Sequence, residues 1–429
     1  MRIANSENFS LQEFFASEGK SLLERVQPFS EYLHATRAQG LALYAREIVG
    51  PTGTRVEIRE PSTGKLRSLV MMGSNNYLGL ANHPYVKQAV IRSIEESGVG
   101  MGGPPLLNGM NALHRELEIR LAQLKHQEDA LLYPSGFQAN LGWIAALLRS
   151  KDYLIYDELH HASVFDGIKV ARASARIHTR SFKHNDVENL KRVLIHAQED
   201  LQPGARIFLA VEGVYSMDGD LAPLPEICKL AREFDATLVL DDAHGTGVLG
   251  KKGSGTAEHF GLSDQIDLAM GTFSKAFGVV GGFIAGPKQV IDYLRYFSNA
   301  YMFSAHLPQA VAAAVLAGLD LVEKNEDLRT SLRDNVEYML QGLGKIGYSV
   351  KSESAIIPVI LPEKTDVRAL GKMLHDEGLF ANMIEYPAVP KDAQRIRLSV
   401  MSDHRREDLD FALGLLAKAA RQFDLLSVE

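Results

Sequence analysis

The chain has 429 residues, of which 46% are hydrophobic and 23% charged, and its formal net charge is −7. These values are ordinary for a globular protein and exclude disordered and fibrous chains. A chain of this length exceeds the size at which one hydrophobic core stops growing, so it predicts a large domain with a smaller companion. The acidic balance, without a run rich in Lys or Arg, argues against a nucleic-acid partner.

The cysteine content and the hydropathy indicate the cellular compartment of the protein. The only cysteine, Cys228, cannot form an intrachain disulfide, which is typical of a reducing compartment. No span reaches the roughly 18 apolar residues of a membrane helix. Residues 1–20 carry charge where a secretory signal would be apolar. We therefore expect a cytoplasmic protein with no integral membrane segment.

The N-terminal region, up to about Tyr44, has apolar residues at loosely helical spacing, which predicts a helical arm. Packing against the core or a second subunit is the expected role of this arm. Binding to a membrane surface is the alternative, disfavoured because acidic and basic residues interleave. The alternation over 54–60, followed by the turn residues 61–64, predicts a hairpin that extends to Val70.

The region between 129 and 282 alternates short β-rich runs with helical stretches, which predicts an α/β domain with a mostly parallel, doubly wound sheet. In such sheets ligands bind beyond the carboxyl ends of the strands. Chemically suggestive side chains should therefore meet at one edge. The predicted strands are 130–133, 153–156, 206–211, 237–240 and 267–270, and their ends carry Ser135, Gly136, Asp157, Glu212, Asp241, Asp242 and 272–275.

The C-terminal region begins after Pro308 with two helical patterns that lead to strand-like runs at 356–361 and 395–400. This order predicts a smaller α+β domain. The predicted organisation is therefore a helical arm and hairpin at 1–60, a large domain at 61–305 and a small domain at 306–429.

The most informative pair of residues is Asp241 and Lys275. Asp241 ends an apolar strand, where an unpaired buried carboxylate would be costly, so it needs a cationic partner. The protonated nitrogen of a pyridine ring would serve, and it would keep that ring an electron sink. Lys275 follows in the Gly- and Ser-rich turn 271–278 (GTFSKAFG). Desolvation there can lower the pKa of a lysine amine, as Schiff-base chemistry requires.

A second feature is the turn that joins the strand 130–133 to a helix through Ser135, Gly136 and Phe137. Free N–H groups at the start of that helix could hold a phosphate, and the hydroxyl of Ser274 could contact the same anion. Many α/β connections look like this one, so the turn alone is weak evidence.

Two other motifs favour less specific interpretations. Residues 98–103 match a dinucleotide fingerprint, but they follow no predicted strand, and we reject that site. The adjacent His160 and His161 lack a third ligand at metal-site spacing, so we predict no metal. His161 is better suited to stack on an aromatic cofactor, and His244 to reach a hydroxyl on its ring.

Taken together, these segments resemble the α-oxoamine synthases, which are fold-type I acyltransferases that use pyridoxal 5′-phosphate (PLP). The resemblance runs from about Gly40 to the C-terminus, and so many motifs in register make it specific. The motifs that carry it are 75–80 (NNYLGL), 107–109 (LNG), 157–163 (DELHHAS), 184–186 (HND), 212–219 (EGVYSMDG), 241–247 (DDAHGTG), 271–278 (GTFSKAFG) and 395–397 (RIR).

The resemblance implies a role for each matching residue. Lys275 would bond covalently to PLP and serve as acid and base, and Asp241 would hold the pyridine nitrogen. His244 would approach the phenolic oxygen and His161 would stack on the ring. The remaining cofactor-binding residues implied are Ser135, Gly136, Phe137, Glu212, Ser216, Thr272, Ser274 and Ser304, and the substrate-binding residues are Asn75, Tyr44 and Arg397, the last as a carboxylate clamp.

The resemblance also implies a decarboxylating condensation of serine, glycine or alanine with an acyl-CoA or acyl carrier thioester. The products would be an α-amino ketone, the free thiol and CO2. A homodimer would share its active sites, with residues 301–306 donated by the neighbouring subunit. Two departures from the usual motifs, Met110 and His306, concern thioester recognition.

The motifs favour different branches within the family. Residues 40–46 and 107–109 slightly favour a long-chain, serine palmitoyltransferase-like reaction, whereas 75–84 favours the amino-oxononanoate synthase and glycine C-acetyltransferase-like alternatives. A fold-type I aminotransferase is a further, less favoured alternative, and it would need no acyl donor.

Overall fold

The computed structural model describes residues 14, 17–41, 43–61, 63–386 and 388–426. The chain divides into two compact units, one formed by Asn75–Ser331 and the other by Met1–Ser74 with Leu332–Glu429. The sequence-based domain boundaries stay a prediction. No helix within the described ranges is both long and apolar enough to cross a membrane.

The regular elements are numbered in chain order. The strands are β1 (Glu47–Val49), β2 (Arg55–Arg59), β3 (Leu66–Met71), β4 (Asp129–Tyr133), β5 (Tyr153–Asp157), β6 (His178–Phe182), β7 (Ile207–Glu212), β8 (Thr237–Asp241), β9 (Leu268–Thr272), β10 (Gly282–Gly286), β11 (Ile356–Ile360), β12 (Leu379–Phe380), β13 (Asn382–Ile384) and β14 (Arg395–Ser399). The helices are α1 (Leu22–Ala38), α2 (Pro84–Ser97), α3 (Ala112–Leu124), α4 (Gly136–Leu147), α5 (Ala162–Ser174), α6 (Val187–Glu199), α7 (Leu224–Glu233), α8 (Thr256–His259), α9 (Lys288–Phe297), α10 (Asn299–Met302), α11 (Gln309–Lys324), α12 (Asp327–Ile346), α13 (Val367–Asp376) and α14 (Arg406–Gln422).

The larger unit is built on a seven-stranded sheet with the order β4-β10-β9-β8-β7-β5-β6. Strands β9, β8, β7, β5 and β6 run parallel to one another, and β10 is antiparallel to both of its neighbours. This confirms the predicted α/β fold with a mostly parallel sheet. The five predicted strands are present, each within two residues of its predicted bounds.

Both faces of this sheet are covered by apolar side chains from helices. On one face Trp143 and Ile144 of α4 pack with Val164 of α5, and on the other Leu190 of α6 packs with Ile227 of α7. All residues of β7 are consequently buried, as expected for a parallel strand between two helical layers. The doubly wound arrangement is therefore confirmed.

The second unit contains two small sheets, with the orders β1-β2-β3-β12 and β11-β14-β13. The predicted hairpin is confirmed, because β2 pairs antiparallel with β3 in a register that places Arg55 opposite Val70. Strands β11 and β14 pair antiparallel where 356–361 and 395–400 were predicted. Together with α13 and α14 they give the expected α+β composition.

The N-terminal arm is helical only in part. Helix α1 begins after Ser21, whose hydroxyl accepts the N–H of Glu24 while the Glu24 carboxylate accepts the N–H of Ser21, a capping box. The helix ends at Ala38, and Gly40 adopts a φ of 69°. The prediction that the helix reaches about Tyr44 is wrong by several residues, because left-handed backbone at a glycine ends a helix. The part of the arm before Phe14 lies outside the described residues.

A buried ion pair secures the turn that follows β8. The Nζ of Lys125, just after α3, lies 2.7 Å from Oδ2 of Asp242, and both residues are buried. Lys125 also donates to the carbonyl of Ser254. The Thr256 hydroxyl donates to Oδ1 of Asp242 at 2.7 Å. The carboxylate thus has both a cation and hydrogen-bond donors, which a buried charge requires.

We predict that Lys125→Met destabilises the protein by about 3–5 kcal/mol, because it leaves the Asp242 charge buried without its cation. Lys169→Met is the matched control, since Lys169 is 76% exposed and pairs with Asp166 on the surface. It should cost at most about 1 kcal/mol. Urea unfolding of the three proteins measures both values, and equal midpoints for the two variants would contradict the prediction.

Candidate active site

A cavity of about 290 Å³ lies in the larger unit, beyond the carboxyl ends of the sheet strands. It brings together side chains that are distant in sequence, such as Ser135 and Lys275, which are 140 positions apart. Ten residues predicted from sequence line it: Ser135, Gly136, Phe137, His161, Glu212, Asp241, His244, Thr272, Ser274 and Lys275.

One end of the cavity can hold an anion. Helix α4 begins at Gly136, and Ser135 caps it by accepting the N–H of Gln138 at 3.1 Å. The first N–H groups of a helix have no acceptor within it. A Cβ on Gly136 would lie 3.0 Å from Met270 Cε and from Thr272 Cβ, so a side chain there would crowd its neighbours. The hydroxyls of Thr272 and Ser274 lie 3.0 Å apart beside this turn.

The carboxylate of Asp241 lies in the interior, with the residue only 4% exposed. Its Oδ2 accepts a hydrogen bond from Nδ2 of Asn140 at 2.7 Å, and its Oδ1 accepts from the N–H of Ala243 at 3.1 Å. Both donors are neutral. The site therefore suits a cationic ligand group that would complete the neutralisation of the charge.

Glu212 is a second buried carboxyl group, and it lies beside Asp241 because the two residues pair across β7 and β8. Burial, followed by the nearby Asp241 carboxylate, raises the pKa of Glu212 well above its usual range. Its Oε1 lies 3.5 Å from Nδ1 of His160. Burial lowers the pKa of His160 to about 4, so that ring is neutral. Sequence reasoning had assigned no role to His160.

His161 stands at the start of α5 and lines the cavity. Its Nδ1 lies 2.8 Å from the hydroxyl of Ser163, and its ring meets that of Phe137 edge to face at a centroid distance of 6.3 Å. Desolvation lowers the pKa of His161, partly offset by Asp241. The imidazole is consequently neutral near pH 7 and can present a flat face to a ligand.

His244 is linked to Asn75 through a tyrosine that sequence reasoning did not single out. The hydroxyl of Tyr77 lies 2.7 Å from Nδ1 of His244 and donates to Oδ1 of Asn75 at 3.2 Å. Tyr77 is in the motif NNYLGL, but nothing in its spacing predicted this contact. Two of the predicted residues are therefore held by one buried phenol.

The other predicted residues do not line the cavity. Ser216 follows β7 in the same unit, and Ser304 accepts a hydrogen bond from Nε2 of Gln138 at 3.0 Å. Tyr44 and Arg397 belong to the other unit. The Tyr44 hydroxyl lies 3.3 Å from Glu385, whereas Arg397 is buried on β14 and donates to Ser399 at 3.2 Å.

The residues of the cavity fit pyridoxal 5′-phosphate. The turn at Gly136 leaves space and N–H groups for a phosphate, and the hydroxyl of Ser274 can add a donor, while the Thr272 hydroxyl donates to the carbonyl of Gly281 at 2.9 Å. The buried carboxylate of Asp241 suits a protonated pyridine nitrogen, and the amine of Lys275 suits an aldehyde. His161 and His244 would contact the ring face and its hydroxyl.

Comparison with known proteins agrees with this chemistry. The model of the family described as aminotransferase class I and II matches residues 67–416. The 8-amino-7-oxononanoate synthase of Thermoanaerobacter pseudethanolicus is 42% identical over 84% of this chain and 90% of its own length. The serine palmitoyltransferase of Bacteriovorax stolpii is 39% identical over 85% of both chains. The solved structure of Sphingomonas wittichii serine palmitoyltransferase has a TM-score of 0.86 at 33% identity, covering 94% of this chain and 99% of that one.

The chain belongs to the class I and II aminotransferase family, the PLP-dependent enzymes of fold type I. Within that family it is an acyltransferase of the α-oxoamine synthase group, to which these relatives also belong.

A charged cluster supports the loop that carries His161. The Nδ1 of His184 lies 3.1 Å from Asp157 and its Nε2 lies 2.9 Å from Asp220, so one imidazolium bridges two carboxylates. Asp157 ends β5 and also accepts the N–H of Leu159 at 2.9 Å. These hydrogen bonds outweigh desolvation and raise the pKa of His184 to about 10.

We predict that this cluster makes stability depend on pH in the alkaline range. An unfolded histidine has a pKa of about 6.5, so the stabilisation by protonated His184 is complete below about pH 6.5. It should decrease as the pH rises towards the folded value of about 10. The difference in unfolding free energy between wild type and His184→Asn, measured in urea from pH 6 to pH 10, should shrink steadily. A difference that is constant over this range would contradict the prediction.

Proposed function

We propose that this enzyme condenses a small amino acid, namely serine, glycine or alanine, with an acyl thioester. The amino acid loses its carboxylate as CO2, and the products are an α-amino ketone and a free thiol. The observation that carries the proposal is the convergence of Lys275, Asp241, His161 and His244 on one cavity. Membership of the α-oxoamine synthase group supports it.

The bound PLP would supply an electron sink for the bonds broken at the α-carbon of the amino acid. Within that setting, the Nζ of Lys275 would take the proton from the α-carbon and return it after condensation. The Asp241 carboxylate would hold a proton on the pyridine nitrogen, and His244 would approach the phenolic oxygen. His161 would cover one face of the ring and exclude water from it.

The substrate residues are proposed on their chemistry and on the resemblance. The guanidinium of Arg397 suits the carboxylate of the amino acid, since a planar fork binds two oxygens together. Asn75 offers an amide beside the Tyr77 and His244 pair. Tyr44 is 64% exposed and offers a phenolic hydroxyl, which lies 3.3 Å from Glu385.

Similar proteins support two different choices of substrates. The 42% identical relative is an 8-amino-7-oxononanoate synthase, while the matched structure with a TM-score of 0.86 is a serine palmitoyltransferase. The motifs at 40–46 and 107–109 favour serine and a long acyl chain only slightly. The reaction class is therefore proposed for this enzyme, and a substrate matrix selects the branch.

We predict thiol release when the holoenzyme is mixed with one of these amino acids and an acyl-CoA. The matrix crosses glycine, alanine and serine with acyl chains from two to sixteen carbons, and a thiol reagent follows the free CoA. Lys275→Ala should lower the rate by at least about a thousandfold, because it removes both the cofactor bond and the base.

The matched control is Lys169→Ala, whose side chain is 76% exposed on α5 and should leave the rate unchanged. An acyl carrier protein thioester is run beside CoA for the best acyl chain. If every combination fails to release thiol while the enzyme transaminates, the acyltransferase reaction is wrong and the aminotransferase alternative holds.

We also propose that the enzyme is a cytoplasmic homodimer with shared active sites. The apolar side chains of Leu107 and Phe303 are 82% and 75% exposed in the single chain, which suits burial by a second copy. The buried thiol of Cys228 suits a reducing compartment.

We predict that sedimentation measurements detect a dimer, with twice the chain mass of 47.2 kDa. Replacing both Leu107 and Phe303 with aspartate should shift it towards the monomer, because it places charges in an apolar contact. Replacing Ile195, which is 40% exposed on helix α6, with aspartate provides a comparison for charge alone. A wild-type monomer at micromolar concentration would overturn the dimer.

A further inference from the structure

A buried amide lies between Asp241 and His161, the two residues that would contact the cofactor from different directions. Asn140, on the second turn of α4, is 1% exposed. Its Nδ2 donates to Oδ2 of Asp241 at 2.7 Å and to the hydroxyl of Ser163 at 2.9 Å. The hydroxyl of Ser163 lies 2.8 Å from Nδ1 of His161. One side chain therefore joins the carboxylate beneath the site to the histidine at its edge.

The orientation of this amide is fixed by a third partner. The Nε1 of Trp143, one helical turn further along α4, lies 3.1 Å from Oδ1 of Asn140. An indole N–H can only donate, so Oδ1 must be the carbonyl oxygen of the amide. The NH2 group must then face Asp241 and Ser163, and each of its two hydrogens has one acceptor.

The same count of donors shows which partner donates in the hydrogen bond between Ser163 and His161. The backbone N–H of Ser163 points at Nδ1 of His161 at 3.3 Å, which makes Nδ1 an acceptor. Because the oxygen of Ser163 already accepts from Asn140, its own hydrogen is available for Nδ1. The chain of hydrogen bonds thus runs from Trp143 through Asn140 and Ser163 to His161.

We propose that Asn140 and Ser163 are positioning residues that hold neutral His161 with its proton on Nε2. This inference rests on the proposed function only for its catalytic consequence. Nδ1 is occupied by Ser163, so Nε2 is the nitrogen that His161 offers to the cavity. His161 then donates a hydrogen bond to a substrate oxygen and does not act as a base, which leaves proton transfer to Lys275.

The shared amide has a second consequence. Because Asn140 also donates to Asp241, any change that turns the amide alters both cofactor contacts together. Ser163→Ala removes the side-chain contact to His161 together with the hydrogen bond from Asn140, but it leaves the hydrogen bond from Asn140 to Asp241 in place. Asn140→Leu, with a side chain of similar size, removes the hydrogen bonds to both Ser163 and Asp241. The two variants therefore separate positioning of His161 from positioning of Asp241.

The tautomer is measured by nitrogen NMR on holoenzyme labelled with 15N-histidine, using His161→Gln to assign the signal. The wild type should show the proton of His161 on Nε2. Ser163→Ala should move part of that population to Nδ1 and lower kcat/KM about tenfold, the cost of one hydrogen bond. Its affinity for PLP should stay unchanged. Asn140→Leu should shift the tautomer and also weaken PLP binding about tenfold or more.

Ser174→Ala is the matched control. Ser174 lies on α5, as Ser163 does, but it is exposed, and its hydroxyl donates to the carbonyl of Ala171 within that helix. This control should change none of these values. A wild-type His161 with its proton on Nδ1, or an unchanged tautomer in Ser163→Ala, would overturn the proposal. Neither NMR result depends on a substrate, so a failure of thiol release would overturn the proposed reaction and leave the tautomer assignment standing.

Discussion

The constraint on which the site depends is the burial of two adjacent carboxylates at the end of β8. Consecutive residues of a strand point to opposite faces, so Asp241 and Asp242 must be neutralised separately. Asp242 has Lys125 and Thr256 within the protein. The described donors to Asp241 are the neutral Asn140 and Ala243. One aspartate thus secures the turn that carries His244, while the other retains a charge that a cationic ring nitrogen would satisfy.

Much of the fold was predictable because the central strands are buried on both faces and appear as short apolar runs. Two strands of the sheet escaped prediction for opposite reasons. Strand β6 (HTRSF) lies at the edge and is largely exposed, so it lacks an apolar pattern. Strand β10 (GFIAG) is buried, but its two glycines resemble a loop. A close backbone approach explains the first of these glycines, since a Cβ on Gly282 would lie 2.7 Å from Cα of Gly136.

Residues predicted from chemistry at strand ends, such as Asp241 and Lys275, line one cavity in the structure, and their roles stay a prediction. Sequence reasoning did not single out the residues proposed to act through others. Asn140 lies one helical turn after Gly136, and Ser163 lies two residues after His161, so spacing could have suggested both. The pairing of Lys125 with Asp242 spans 117 positions, and no local pattern could reveal it. Long-range pairs of this kind depend on the sheet order, which the sequence left open.

The relation between Asp241 and Glu212 shows how the sheet controls charge. The register of β7 and β8 places the two carboxyl groups side by side in the interior. Two adjacent carboxylates cannot both ionise at low cost. Asp241 accepts two hydrogen bonds, whereas Oε1 of Glu212 accepts none from the described residues and only approaches His160, at 3.5 Å. Burial and the neighbouring Asp241 raise the pKa of Glu212 well above its usual range, which favours the uncharged form of Glu212. The ring of His160, neutral because burial lowers its pKa to about 4, adds no positive charge here, so a cationic ring nitrogen would suit the carboxylate of Asp241.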